Sequence, residues 1–261
     1  MSEEFIVVRR SKWQSQSNSK YCSVTKNIDS LYIEFCDKLE LLANSFFYKE
    51  TILILNKIKF EPKITNIRCL TIGSISQDSA ALYQLCYLKL LADFFQLSGE
   101  KISIFDPIFT NLDSKFLIEK LGFKIDKNSN FLDFYFMPHA PIVLIEEILI
   151  KDKPKFMLTN DISIYNDKWS DYELYEKYPN IALLKNCIQN NKDNEQEKQS
   201  NGFQIYHSKK KLKKKNLVHI EPTINYNYQD CFFTKCTKLQ FIQNNEQLYG
   251  NSFSDMAIHI I

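Results

Sequence analysis

Three short segments carry residue types that could bind a ligand or take part in catalysis. They are a glycine loop at residues 73–76, an acidic residue at Asp106 and a histidine at His139, each following a short apolar run. Gly73 lets the backbone turn sharply, and the first amide groups of a following helix can bind an anion. An acid at the position of Asp106 commonly accepts hydrogen bonds from a ribose. His139 could act as acid, base or ligand donor near neutral pH.

Each of these residues also has a purely structural interpretation. Gly73 fits a plain turn, because the loop lacks the second and third glycines of a dinucleotide-binding fingerprint. Asp106 precedes a proline, which is typical of a turn, and His139 suits a hydrogen-bonded structural histidine equally well. No G-x-S-x-G elbow is present, so the nearby serines and threonines are interpreted as helix caps rather than nucleophiles.

Alternating strand and helix patterns would position the three segments. Short apolar runs predict strands at residues 67–72, 101–105, 131–137 and 155–159, with late strands at 217–220 and 256–261. Helical spacing predicts helices over residues 28–42, 46–58, 76–97, 110–121 and 141–150. Asp29 or Ser30 is expected to cap the first helix, Ser76 the third, and Thr110 or Asn111 the fourth. The alternation indicates an α/β protein with a Rossmann-like three-layer fold and a mainly parallel sheet, in which the three segments share one edge.

The domain organisation is predicted to be simple. Residues 1–27 form an N-terminal segment and residues 28–261 a single α/β domain. Residues 190–216, rich in Asn, Gln, Lys and Glu, are predicted to be a disordered insert. The insert ends with six lysines in seven residues from Lys209 to Lys215. That run fits a nuclear-localisation or phosphate-binding patch, although a charge block alone mainly predicts disorder.

Composition argues against several classes of function. The 33 basic and 31 acidic residues give a formal net charge of +2, too little to predict a nucleic-acid or membrane partner. No apolar run approaches the roughly 20 residues of a membrane span, and the start of the chain is acidic where a secretory signal is basic. We therefore expect a cytoplasmic protein, with the nucleus as a second location. The seven cysteines are an odd number, which favours reduced thiols.

One pair of cysteines has a spacing compatible with zinc. Cys231 and Cys236 have four residues between them, and His219 and His259 are conceivable further ligands. No second close pair of cysteines or histidines supports a metal site. The sequence therefore predicts no metal.

Several segments together resemble a known family. They are residues 4–12, 70–76 with Gln84, 104–110 with 121–122, 134–141 and 253–259. The Asp-Pro-x-Phe-Thr and Met-Pro-His segments, in that order, are the most specific of these. On them the chain resembles the SENSITIVITY TO RED LIGHT REDUCED-like (SRR-like) proteins. It departs from the family pattern at Ser254, where asparagine is usual, and at Ile75, where a small or polar residue is common.

The resemblance implies a set of site residues and a range of processes. The positions that match the family pattern are Gly73, Ser74, Asp106, Pro138, His139, Asp255 and His259. Family members are linked to circadian and light signalling, to microtubule-related processes and to regulation of haem biosynthesis. No common catalytic activity comes with the resemblance.

Two functions of different classes follow. The first is a regulatory or adaptor protein with protein partners. The second is an enzyme that binds a nucleoside-containing cofactor, such as an S-adenosylmethionine-dependent methyltransferase. A nucleoside-containing molecule or haem is the ligand to be expected. A deep crevice around Asp106 and His139 would favour the enzyme, and a shallow, well-filled one the adaptor.

Overall fold

The computed structural model describes residues 26–127, 133–167, 169–197, 222–241 and 249–261. Seven helices lie within these residues: α1 (Ile28–Asn44), α2 (Phe46–Leu55), α3 (Ser79–Phe94), α4 (Asn111–Glu119), α5 (Ile142–Lys151), α6 (Asp171–Lys177) and α7 (Pro179–Glu197). Seven strands lie within them too: β1 (Ile67–Leu70), β2 (Ile102–Phe105), β3 (Lys124–Ile125), β4 (Phe134–Met137), β5 (Phe156–Asn160), β6 (Thr237–Gln240) and β7 (Met256–Ile260). No helix among the described residues is long and apolar enough to cross a membrane.

The strands form one mixed sheet with the order β3-β2-β1-β4-β5-β7-β6. Strands β1 to β5 are parallel to one another, whereas β7 is antiparallel to both β5 and β6. The predicted α/β class and the predicted neighbours β2, β1, β4 and β5 are confirmed. As a result, the carboxyl ends of these four strands open on one edge of the sheet, together with the beginning of β7.

The two faces of the sheet are covered by different helices. Successive strand residues point to opposite faces, so Ile67 and Cys69 pack in one core cluster with residues of α1 to α4. Tyr135 and Met157 pack in a second cluster with residues of α5, α6 and α7. Both faces are therefore buried, which explains why the central strands read as continuous apolar runs.

Two predicted helix caps are wrong. Asn27, not Asp29 or Ser30, caps α1, because Ser30 is the third helical residue and completes a capping box with Asn27. Asp78, not Ser76, caps α3, and its carboxylate accepts the amide of Ala80. Ser76 lies outside that helix. Its backbone amide donates to the carboxylate of Asp113 on α4. For α4, one of the two predicted caps, Thr110, is correct.

The last third of the chain was predicted only in part. The late strand at 256–261 is present as β7, whereas α6, α7 and β6 were not predicted. Helix α7 continues through Glu197, so residues 190–197 of the predicted insert are helical. The rest of that insert, including Lys209 to Lys215, lies outside the described residues, as do the strand predicted at 217–220 and the first 25 residues.

Candidate functional site

The predicted site residues lie along one edge of the sheet. Gly73 and Ser74 follow β1, Asp106 follows β2, and Pro138 and His139 follow β4. These strands are parallel neighbours, so their carboxyl ends are side by side. We call this the carboxyl edge: the segments after β2, β1, β4 and β5 and the residues that begin β7.

Asp106 joins the first two loops of the carboxyl edge. Its Oδ2 accepts the Gly73 amide at 2.9 Å and its Oδ1 accepts the Ile108 amide at 3.0 Å. The side chain is buried, and each carboxylate oxygen has a backbone donor. Asp106 therefore fixes its own turn and the glycine loop in one geometry. The left-handed φ of +82° at Gly73, rather than lack of space, is what requires glycine there, since an added Cβ would meet Ala81 Cβ at 3.6 Å.

A second carboxylate, Asp113 on α4, holds the rest of the glycine loop. It accepts the Ser74 hydroxyl at 2.7 Å, the Ser76 amide at 2.8 Å and the Thr110 amide at 2.8 Å. Burial alone would raise its pKa, but the hydrogen bonds from Ser76, Thr110 and Ser74 outweigh burial and lower the pKa below its ordinary value. Asp113 is fully buried and negatively charged, and it acts as the hub that joins the loops after β1 and β2.

Hydrogen bonds continue along the carboxyl edge to β7. The Thr71 hydroxyl donates to the Pro138 carbonyl at 3.0 Å, which joins the ends of β1 and β4. The Asn160 amide group donates to the Ala140 carbonyl at 3.2 Å, which joins β5 to the β4 loop. The Asp161 amide donates to the Asp255 carbonyl, which joins β5 to β7. With the Asp106 contact, these bonds tie five neighbouring strands into one continuous surface about 19 Å wide at about 4.8 Å per strand.

The backbone of this edge is strained at three residues. Thr71, His139 and Asp255 have φ values of 58°, 53° and 59°, in the left-handed region that side chains rarely adopt. Gln96 and Lys153 also have positive φ, but they follow the ends of α3 and α5, where this conformation is the usual helix ending.

No helix end explains the three residues at the edge. Each strained residue of this kind costs about 1 to 3 kcal/mol, and such residues concentrate at functional sites. Backbone strain therefore indicates that the carboxyl edge is a functional site, and this observation does not depend on the types of the residues there.

His139 is an exposed polar residue of the edge, as is Asp255. Its side chain is exposed, while Pro138 and Ala140 on either side of it are buried. The structure therefore does not support the alternative of a buried, hydrogen-bonded structural histidine. The imidazole is available to a ligand or a partner.

His259 and Asp255 lie at the β7 end of the site. His259 is fully buried within β7, opposite Met157, rather than at the sheet edge. Its Nε2 accepts the Ile162 amide at 3.4 Å, so the ring supports the segment that follows β5. Burial lowers the pKa of His259 to about 4, which keeps the imidazole neutral at pH 7. Asp255 contributes its backbone carbonyl and its strained φ to the edge.

A buried ion pair near His259 holds the same segment. Lys238 on β6 contacts the Asp161 carboxylate at 2.6 Å and the Ser163 hydroxyl at 2.8 Å. Burial would raise the pKa of Asp161, but the hydrogen bonds from Lys238 and Ser163 lower it below the ordinary value. The Lys238 and Asp161 side chains are 7% and 2% exposed, so the pair exchanges little with solvent.

Four residues of this site were not predicted from the sequence: Thr71, Asp113, Asp161 and Lys238. For Asp113 a signal was present, because Thr110 and Asp113 have the spacing of a capping box, and both halves of that box form. For Asp161 and Lys238 there was none, since the two residues are 77 positions apart in the chain.

The cysteine pair forms no metal site in the part of the chain that the structure describes. Burial raises the pKa of the Cys231 and Cys236 thiols, that of Cys236 to about 12. His219 lies outside the described residues. Within those residues, no group of three or more His, Cys, Asp or Glu side chains is arranged to hold a metal ion.

Comparison with known proteins identifies the family. No curated protein and no solved structure matches the chain significantly. A family model, the SRR1 domain, matches residues 51–260, which is well over half of the chain. The match includes the whole carboxyl edge from Thr71 to Asp255. The chain therefore belongs to the SRR1 domain family.

Proposed function

We propose that this chain is a regulatory or adaptor protein that binds a protein partner at the carboxyl edge of a Rossmann-like sheet. The observation that carries the proposal is that the two buried carboxylates of this edge, Asp106 and Asp113, accept hydrogen bonds from the edge's own loops. Asp106 and Asp113 hold the loops after β1 and β2, and Ser74 and Ile75 are buried beneath the surface. The loops of this edge are therefore held in a preformed arrangement by the protein's own contacts.

The exposed groups of the edge support a protein partner. Ile108 after β2 is 62% exposed, Val143 at the start of α5 is 51% exposed, and Ile164 after β5 is 41% exposed. Together with His139 they place apolar groups and one imidazole on a fixed frame. Apolar groups surrounded by polar ones, on a surface that does not rearrange, are typical of protein interfaces.

The processes in which this binding would act are those implied by the family. They are circadian or light signalling, microtubule-related processes and regulation of haem biosynthesis. The location that fits them is the cytoplasm, with the nucleus as a second compartment.

Quantitative affinity capture tests this proposal with a matched pair of variants on one helix. Val143 lies at the start of α5 and Ile150 near its end, and the two are 51% and 54% exposed. We expect Val143→Asp and His139→Ala to lose the same set of bound proteins, and Ile150→Asp to keep them. If Val143→Asp and Ile150→Asp retain identical sets, the carboxyl edge is not the working surface.

The strand order favours a second function, an enzyme or sensor that binds a nucleoside-containing cofactor such as S-adenosylmethionine. From β1 the chain proceeds through β2 to β3 on one side, and from β4 to β5 on the other. The gap between β1 and β4 is therefore a topological switch point, where open α/β sheets bind ligands. Gly73 and His139 flank that gap, and Asp106 lies beside it.

Thermal-shift measurements separate the two functions. A cofactor at 100 times its dissociation constant adds about 2.7 kcal/mol to the free energy of unfolding. That corresponds to a rise in Tm of about 5 °C or more for a chain of this size. If S-adenosylmethionine, adenosine or haem gives such a rise in the wild type and not in Asp106→Asn, the cofactor-binding function replaces the adaptor.

A further inference from the structure

A pocket lies at the opposite edge of the sheet from the candidate site. Its volume is about 120 Å³, and it is lined by Pro62, Ile64, Asp133, Lys153, Lys155 and Phe156. Asp133 directly precedes β4 and Phe156 begins β5, so the pocket opens at the amino ends of the strands. It shares no residue with the carboxyl edge.

The floor of the pocket is apolar and firmly packed. The Ile64 and Phe156 side chains belong to the first core cluster and are almost completely buried. The Phe60 ring supports Phe156 with a centroid distance of 5.0 Å, and it packs edge-on against Phe95 at the same distance. A dry apolar cavity of about 150 Å³ can hold one benzene ring. At about 120 Å³ the pocket is somewhat smaller than that cavity, but it is open to solvent on one side, so a single ring or a short branched hydrocarbon can enter it in part.

Two lysines form the polar rim of the pocket. Neither the Lys153 nor the Lys155 ammonium group forms an ion pair with a residue that the structure describes. Their backbones are nevertheless fixed: the Lys153 amide donates to Ile148 at 3.2 Å, and the Lys155 carbonyl accepts the Ile261 amide at 2.9 Å. Pro154 between them restricts the backbone further. The segment therefore presents two ammonium groups that have no ion-pair partner among the described residues, on a backbone that is fixed.

The one acidic side chain of the lining is already in use. Asp133 Oδ2 accepts the Thr65 amide at 2.9 Å and the Thr65 hydroxyl at 2.5 Å. Two lysines and one carboxylate leave the rim with a net positive charge over an apolar floor.

We propose that this pocket binds a small carboxylate whose hydrocarbon part is a single ring or a short branched chain. The hydrocarbon fills the space over Ile64 and Phe156, and the carboxylate faces the ammonium groups of Lys153 and Lys155. The hydrocarbon of the ligand is removed from water when it contacts the apolar floor, and its carboxylate is paired with the lysines at the rim. Because the rim is open to solvent, each ammonium group contributes only a few-fold in affinity, and the two together account for about tenfold.

Ligand-observed NMR titrations test this proposal with defined probes and the full chain. Benzoate and isovalerate represent the two hydrocarbon shapes, and benzamide is the neutral analogue of benzoate. We expect benzoate to bind with a dissociation constant of about 1 mM or lower, the range open to so small a ligand, and benzamide at least fivefold more weakly. The double variant Lys153→Gln, Lys155→Gln should weaken benzoate binding at least tenfold.

The control variant is Lys151→Gln, which removes an exposed lysine of α5 that is not part of the pocket lining. It should bind benzoate as the wild type does. Equal affinity for benzoate and benzamide, an equal loss in Lys151→Gln, or no binding at 10 mM would each overturn the proposal. All three lysines are on the surface, so the variants are expected to fold. His139→Ala should leave benzoate binding unchanged, so this test is independent of the function proposed for the carboxyl edge.

Discussion

Replacing His139 with glycine should not destabilise the protein, although an exposed residue in a loop normally loses stability on such a change. His139 has a φ of 53°, which costs an L-residue about 1 to 2 kcal/mol and costs glycine nothing. Glycine also loses about 0.5 to 1 kcal/mol through the entropy of the unfolded chain. The net effect of His139→Gly is therefore between zero and about 1.5 kcal/mol of added stability.

The control for this prediction is Lys235→Gly, an exposed loop position without positive φ. It should lose about 0.5 to 1 kcal/mol, the entropic cost of glycine alone. The two variants should thus differ by about 1 to 2 kcal/mol in urea unfolding, and by a few degrees in Tm. If His139→Gly loses as much stability as Lys235→Gly, the backbone at His139 is not strained and the inference from strain to function fails.

Three further predictions concern buried groups. Asp113→Ala should lower the free energy of unfolding by about 3 kcal/mol in urea titrations at pH 7, because three buried donors lose a charged acceptor. Since the folded pKa of Asp113 is lowered, the contribution of this carboxylate to stability is complete above about pH 4 and is lost below it. A cost of the substitution that persists unchanged at pH 2 would contradict the assignment. The pKa of His259 is about 4 in the folded protein and about 6.5 in the unfolded chain, so the free energy of unfolding should be at its full value above pH 6.5 and fall by up to about 1.4 kcal/mol per pH unit towards pH 4. The free energy of unfolding of His259→Gln should depend less steeply on pH in that range. An identical slope in the two proteins would refute the buried neutral imidazole. Lys238→Met should lower the free energy of unfolding by about 3 to 5 kcal/mol, because it leaves the charge of Asp161 unpaired, and adding Asp161→Leu should restore most of that stability. Chemical denaturation of the single and the double variant measures both effects. A double variant no more stable than the single one would count against the ion pair.

The central sheet was predictable from the sequence because its strands are short and buried on both faces. Each of β1, β2, β4 and β5 is a run of four or five residues with few polar members, separated from the next by a helix or a glycine turn. Local pattern alone therefore determines the element type, and the helix that connects each strand to the next determines that the strands are parallel. The neighbouring positions of the loops that contain Gly73 and Asp106 follow from the same argument.

The β6 strand was not predictable in this way. Thr237–Gln240 is half-exposed, polar and at the edge of the sheet, and its ladder is made with β7. An edge strand of four residues has no local pattern to distinguish it from a loop, since its structure depends on the partner that it reaches. The reversed direction of β7 has the same cause, because it depends on where the long segment after α7 returns the chain.

The role of Asp106 in holding two loops together could not be predicted from the sequence either. Asp106 was identified as a potential ribose ligand, but its oxygens accept backbone amides of two loops. Which of these roles an acid at a strand end takes depends on whether a neighbouring loop brings its amides within 3 Å. That distance is a property of the packed fold rather than of the motif.

The position of β7 between β5 and β6 imposes an order on folding. In the sheet, β6 pairs with β7, yet β7 follows it in the chain, so β6 cannot be joined to β5 until a later segment has been inserted between them. That insertion joins Met157 to His259 across about a hundred residues of chain, and contacts between such distant residues form slowly. The parallel half of the sheet, β3 to β5, can assemble first, while β5 is left with an unpaired side until β7 arrives. During that interval the exposed strand can pair with another chain, which makes completion of the antiparallel half the step at which this protein is most liable to aggregate.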